Sequence, residues 1–135
     1  MWIQFRYEEE KPLLAVQFVR GTRSFDGLGL VDSGAGMTLA HADIAKFLGI
    51  DEANCSRKPV GGIVGENANG FVCDVDLYVK YLPDVLTIPV LFVPNLRVGL
   101  LLGHDGFFDS YRIKFQKDSN FFEISRSPLK KYEKK

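Results

Sequence analysis

Three stretches of this chain carry the residue types that chemistry needs. The first is Leu30-Val31-Asp32-Ser33-Gly34-Ala35, where an apolar run delivers a carboxylate straight into a glycine-containing turn. Charged side chains are rarely buried without a partner, so an aspartate closing an apolar strand demands a reason. Such a carboxylate can take a proton from a water or give one to a carbonyl. Asp, Ser and Gly are also turn formers, and taken alone the hexapeptide reads more readily as a plain turn. The second stretch is Gly99-Leu100-Leu101-Leu102-Gly103-His104-Asp105, another apolar strand running into glycine, with Phe107 and Phe108 suggesting a short helix beyond it. The third is Pro59-Val60-Gly61-Gly62-Ile63-Val64-Gly65-Glu66-Asn67-Ala68-Asn69-Gly70, a Gly- and Asn-rich, hairpin-like connection. Glycine there supplies backbone freedom and lets a ligand's backbone come close. The ordinary readings of these two are a buried strand with its exit turn and a floppy surface loop.

Other chemistries find little footing. His41 opens a helix and reads as a surface or capping residue, and His104 as a packing or hydrogen-bonding one. A Ser33–His104–Asp105 triad is poorly supported, because neighbouring side chains point apart on most backbones and no nucleophile-elbow pattern surrounds Ser33. Gly27-Leu28-Gly29 is too short for a dinucleotide fingerprint and precedes no helix. Two cysteines and two histidines cannot build a four-ligand zinc site without carboxylate help, so neither metal nor cofactor is expected. Cys73 falls on the apolar face of a strand and Cys55 precedes the glycine-rich connection. A pairing across the hairpin is conceivable, but a reducing compartment favours free thiols. Seventeen basic residues balance seventeen acidic ones, which argues against nucleic acid as a partner, since phosphate binding needs a basic excess. The N-terminus alternates and then turns acidic, unlike a signal peptide. No apolar run approaches the ~20 residues of a membrane span. A cytoplasmic protein with no membrane partner is the expectation.

The elements that must position these residues are mostly strands. A chain of 135 residues with 46% hydrophobic content fits one domain with its own core. The expectation is a single domain over residues 1–126 and a basic tail over 127–135, read as solvated disorder. Residues 2–7, 13–20, 25–31, 86–93 and 98–102 read as strands, with Pro89 hinting at an edge or a bulge. Phe71, Cys73, Val75, Leu77 and Val79 alternate with Val72, Asp74, Asp76, Tyr78 and Lys80, the period of two of a half-buried strand. Residues 111–115 and 121–124 flank Lys117-Asp118-Ser119-Asn120 as a terminal hairpin. Only residues 41–48 carry a helical stripe, in Ile44, Phe47 and Leu48, with Gly49 as its C-terminal cap. The fold class is mostly β with one or two short helices.

In this order and spacing, the three stretches resemble the retropepsin-like aspartic proteases, the single-domain relatives of pepsin that include the retroviral proteases. The matching residues are Asp32-Ser33-Gly34-Ala35, then Gly61-Gly62-Ile63-Val64-Gly65, then Leu101-Leu102-Gly103. Pro12-Leu13-Leu14-Ala15-Val16 and the turn at Arg20-Gly21 also sit where the family places its early hairpin, so the likeness spans about residues 12–125. Two positions depart from the pattern: Gly36 stands where the family often has Asp or Ser, and His104 where it commonly has Arg. The charged contact made by those family positions cannot form here in the same way.

The resemblance implies a small closed or partly open β-barrel with a flap hairpin, and an aspartic endopeptidase needing no cofactor. One Asp-Ser-Gly per chain is half an active site, so it also implies a homodimer in which two Asp32 carboxylates share a proton across the axis. Ser33 would brace the two loops, the Gly34 carbonyl would bind substrate backbone, and Ala35 would pack in the turn. Leu30, Leu39 and Leu101 are the implied pocket walls for a peptide or protein substrate. Ile63 and Val64, flanked by Gly61, Gly62 and Gly65, would cap it as the flap closes. The rival reading keeps the same fold as a non-catalytic, dimeric peptide-binding or interaction module; Gly36 and His104 favour it, and the intact Asp32, Ser33 and Gly34 favour the enzyme.

Overall fold

Alternating apolar and polar residues make most of this chain strand, and the strands close on themselves. The computed structural model describes residues 1–60 and 68–135. The strands are β1 (Ile3–Arg6), β2 (Leu13–Arg20), β3 (Arg23–Val31), β4 (Thr38–His41), β5 (Ser56–Val60), β6 (Ala68–Val79), β7 (Val85–Val93), β8 (Leu100–Leu102), β9 (Tyr111–Gln116) and β10 (Phe121–Arg126). One α-helix, α1 (Ala42–Phe47), follows β4, and short 3-10 turns occupy Glu52–Asn54 and Lys117–Ser119. The mostly-β class read from the sequence is what is found.

Six strands form a closed ring in the order β2-β3-β8-β4-β7-β6, shut by antiparallel pairing of β6 with β2 from Val16↔Val79 to Val19↔Asp76. Closure removes the open edges that a flat sheet would leave. Along β6, Phe71, Cys73, Val75, Leu77 and Val79 turn into the ring while Asp74, Tyr78 and Lys80 face solvent. Phe18, Leu77, Ile88, Val90, Phe92 and Leu102 fill the interior with no exposed surface. Each such side chain contributes about 1.5–3 kcal/mol on burial. β5 lies outside the ring, paired to β6.

A second sheet, β1-β10-β9, packs against the barrel and sends Phe122 and Ile124 into the same core. The two chain ends thus pair with each other, Ile3 opposite Ile124 and Phe5 opposite Phe122. The hairpin between β9 and β10 turns through Asn120, which adopts a left-handed φ of 66°.

Several expectations give way. Pro89 marks neither an edge nor a bulge, for β7 runs between β6 and β4. Pro89 stands opposite Asp74 of β6, one residue before β4 begins to pair at Val90, and so asks for no N–H bond in that ladder. Phe107 and Phe108 lie in a run of turns rather than a helix, because Gly106 between Asp105 and Phe107 takes a φ of +89°. The tail is not solvated disorder. The Thr87 N–H donates to the Tyr132 carbonyl at 2.8 Å and the Lys134 N–H to the Val85 carbonyl at 2.9 Å. Tyr132 packs on the core and Lys134 Nζ meets Asp76 at 2.6 Å, so the tail has both an apolar and an ionic anchor. Helix α1 is as expected: His41 Nδ1 accepts from the Asp43 N–H at 3.0 Å, and Gly49, at φ +71°, ends it.

Candidate active site

The apolar strand β3 carries the chain to Asp32 through the parallel pairs Leu30↔Leu101 and Val31↔Leu102 with β8. The Asp32 N–H donates to the Leu102 carbonyl at 3.0 Å, and there the strand ends. The Asp32 carboxylate then shapes the loop beyond the strand: Oδ1 accepts from the Gly34 N–H at 2.8 Å, and the Asp32 carbonyl accepts from the Ala35 N–H at 3.2 Å. This is a side-chain-closed turn, the structural role that Asp fills in many loops. Asp32 is nevertheless half-buried, with Ser33 and Gly34 exposed above it.

β8 brings the second motif directly against the first. A Cβ on Gly103 would stand 2.1 Å from the Met37 carbonyl oxygen and 2.6 Å from that of Ala35, so only glycine passes. The Gly103 N–H donates to the buried Thr38 Oγ1 at 3.3 Å. The next two backbone N–H groups, of His104 and Asp105, donate to the carbonyls of Ala35 and Gly36 at 2.8 and 2.9 Å. His104 Nε2 donates to the Ser33 carbonyl, and its ring lies 5.4 Å from that of Phe108. His104 therefore ties the Asp-Ser-Gly loop through a hydrogen bond to its backbone.

Above Asp32 opens a cavity of about 360 Å³. It is lined by Asp32, Gly34, Ala35, Gly36 and Met37 of the loop after β3, by Lys58 and Pro59 of β5, and by an apolar floor of Leu39, Leu91 and Leu101. The floor belongs to a second apolar cluster of Leu39, Leu91, Val93 and Leu96, outside the barrel core, against which Ala35, Met37 and Leu101 pack. Among the described lining residues Asp32 is the one acid and Lys58 the one base, and Lys58 Nζ lies 3.3 Å from Met37 Sδ. A second hollow of about 330 Å³, between Phe5, Leu13 and Tyr81, holds none of the three motifs.

Of the residues singled out from sequence, Asp32, Gly34, Ala35, Leu39 and Leu101 meet at this cavity, with Ser33 beside them. Leu30 does not line it; half-buried in β3, it lies between Leu13 and Leu101. Gly61, Gly62, Ile63, Val64 and Gly65 lie outside the described residues. Pro59, the first residue of the glycine-rich stretch, also lines the cavity, whereas sequence reasoning missed Met37, Lys58 and Leu91. Leu91 had a signal in Val90-Leu91-Phe92-Val93, an unbroken apolar run that marks a strand covered on both faces. Lys58 had none, because nothing local to Ser56-Arg57-Lys58 distinguishes it from a surface charge. Among the described residues no three His, Cys, Asp or Glu side chains gather as a metal site, and no helix is long and apolar enough to cross a membrane.

No family model and no curated protein sequence matches the chain. Its structure superimposes on that of a retropepsin-like aspartic protease from Rickettsia conorii, with a TM-score of 0.69 over 92% of this chain and 89% of that one, at 15% sequence identity. At that identity the likeness speaks for architecture, and this chain is built on the retropepsin-like aspartic protease fold.

Proposed function

We propose that the protein is an aspartic endopeptidase whose working unit is a homodimer, each chain supplying one Asp32. The observation that carries this reading is the single carboxylate, half-buried at the end of β3, beside a cavity whose floor is apolar. One such group cannot both activate a water and polarise a carbonyl. Two of them, brought together on a two-fold axis, can divide the work. Like charges a few Å apart cannot both be ionised, so the pair holds one proton. The ionised carboxylate takes a proton from the attacking water, the protonated one donates to the scissile carbonyl, and a tetrahedral intermediate forms with no covalent bond to the protein.

The chain's own residues would support these steps. The Gly34 N–H bond fixes the Asp32 carboxylate in the turn, and the bonds from residues 103–105 hold that turn against β8. Positioning of this kind is where much of an enzyme's rate comes from. The substrate would be an extended peptide, with a side chain seated over Leu39, Leu91 and Leu101.

Digestion of an unbiased peptide library tests the proposal. Cleavage should fall about 10²–10⁴-fold in Asp32→Asn, whose amide keeps an oxygen to accept the Gly34 bond and so preserves the loop. An inhibitor that mimics the tetrahedral intermediate should raise the Tm of the native protein and not that of Asp32→Asn. Equal cleavage by both proteins would refute the assignment. Stabilisation by unreactive peptides alone, with no cleavage by either protein, would establish the binding-module reading in its place.

A further inference from the structure

We propose that Cys55 and Cys73 are a redox pair that closes to an intramolecular disulfide, clamping the root of β5 to β6. Strand register carries the argument. β5 and β6 pair antiparallel from Val60↔Ala68 to Ser56↔Val72, and the next step along that ladder sets Cys55 opposite Cys73. Opposed residues in antiparallel strands have Cα atoms about 4.5–5.5 Å apart, within the ~4.4–6.8 Å that a disulfide spans.

The two side chains also share a face. Cys73 is buried in the barrel core, and the half-buried Cys55 packs against that same core. Both are free thiols, and Cys55 Sγ lies 3.5 Å from the Asp51 carbonyl, to which it donates. Burial and the adjoining Cys73 thiol push the Cys55 thiol up to about 12. A raised thiol makes Cys55 slow to oxidise, since the thiolate is the attacking species.

The oxidant is a small disulfide such as oxidised glutathione. The Cys55 thiolate, the more accessible of the two, attacks one glutathione sulfur and forms a mixed disulfide, releasing one glutathione thiolate. The Cys73 thiolate then attacks Cys55 Sγ, the protein S–S bond forms, and the second glutathione leaves. The two protons given up by the cysteines end on the two released glutathiones. In sum, two protein thiols are oxidised and one small disulfide is reduced. The consequence reaches the candidate cleft, because β5 carries Lys58 and Pro59 on the cavity wall and is held from one side by β6. A covalent tie at Cys55 fixes that wall at its base.

The test uses the native full chain equilibrated with mixtures of reduced and oxidised glutathione, quenched in acid and read by intact mass and peptide mapping. The expected product is two hydrogens lighter, retains no glutathione, and yields one cross-linked peptide pair containing Cys55 and Cys73. Its Tm should rise by about 5–10 °C, the effect of closing a short loop in a domain of this size. Oxidation should quicken with rising pH. Cys73→Ala should stop at the glutathione adduct on Cys55, and Cys55→Ser should show no oxidation-dependent gain in Tm. The proposal is overturned if the wild type stops at the mixed disulfide or if both thiols stay reduced until the chain unfolds. A Tm gain in Cys55→Ser equal to that of the wild type would overturn it as well.

Discussion

Replacing Gly103 by alanine is the sharpest probe of how the two motifs are joined. The added methyl would start 2.1 Å from one backbone oxygen and 2.6 Å from another, where ordinary contact begins near 3.4 Å. Neither obstacle is a side-chain tip that can swing aside; both are carbonyls of the 35–37 segment. Relief requires β8 and that segment to part by about 1 Å or more, which overpacking data put at ~1–3 kcal/mol before any bond is lost. The same movement stretches three hydrogen bonds: Gly103 to Thr38, His104 to Ala35 and Asp105 to Gly36. Each is worth ~1 kcal/mol, and more where a buried donor is left unpaired. The result is a loss of ~3–5 kcal/mol, a large part of the ~5–15 kcal/mol that holds a domain together, or a fall in Tm of ~10 °C or more. Gly36→Ala and Gly99→Ala are matched controls, since an added Cβ meets nothing within 4 Å at either position. They should stay within ~0.5 kcal/mol of wild type. Urea unfolding of the three variants gives the comparison. A Gly103→Ala protein within ~1 kcal/mol of wild type would show that the close crossing of β8 and the Asp32 loop is not a constraint.

Two further outcomes are expected. Burial raises the Asp76 carboxyl, but hydrogen bonds from Lys134 Nζ at 2.6 Å and Thr87 Oγ1 at 2.8 Å, with the Lys134 charge, bring it below its ordinary value, while Lys134 is raised in return. The lowered carboxyl contributes stability in full above pH ~4 and loses it as pH falls through the folded value; the raised ammonium contributes in full below pH ~10 and loses it as pH rises through its own. Lys134→Gln should flatten the stability profile at both ends, and identical urea midpoints for variant and wild type across both ranges would count against the pair. If each chain brings half of the dyad, specific activity should fall on dilution below the dimer dissociation constant, and excess Asp32→Asn chains should depress activity more steeply than they dilute it. A linear loss, together with a monomeric mass at the assay concentration, would sink the shared dyad.

The strands are legible in the sequence wherever one face meets the core and the other meets water. β6 is legible from Phe71 to Val79, where core-facing residues recur at every second position, but not in Ala68-Asn69-Gly70, which read as the end of the glycine-rich connection, and β2 matches over its whole length. β4 is not legible because Thr38, Leu39 and Ala40 are all buried, which erases the alternation and leaves a segment too short to show a period. The run of turns after Gly103 resembles a helix in sequence because Phe107 and Phe108 supply apolar bulk, while the positive φ of Gly106 is a backbone property that glycine permits and does not announce. The tail misleads for a related reason. Its lysines look solvated by composition, yet it is pinned by a half-buried tyrosine, an ion pair to Asp76 and backbone hydrogen bonds to β7, all far away in sequence.

The cavity shows the same division. Asp32, Gly34, Leu39 and Leu101 are legible because their neighbours on the chain carry the pattern. Met37, Lys58 and Leu91 join them from the loop before β4, from β5 and from β7, and strand pairing rather than chain neighbourhood brings them there: Leu91 stands opposite Leu39 across β4 and β7. The parallel pairing of β3 with β8 likewise explains why the Asp-Ser-Gly turn and the Leu-Leu-Gly strand must occur together. Asp32 leaves β3 under a bond to Leu102, and its loop is then held from below by the backbone of residues 103–105 and by His104. The carboxylate's position is therefore set by the register of β8, a three-residue strand clamped between β3 and β4. A short buried strand is a precise support for this reason: a slip of one residue would send Leu100 and Leu102 out of the core and carry Gly103 away from the one place where the chain crosses itself.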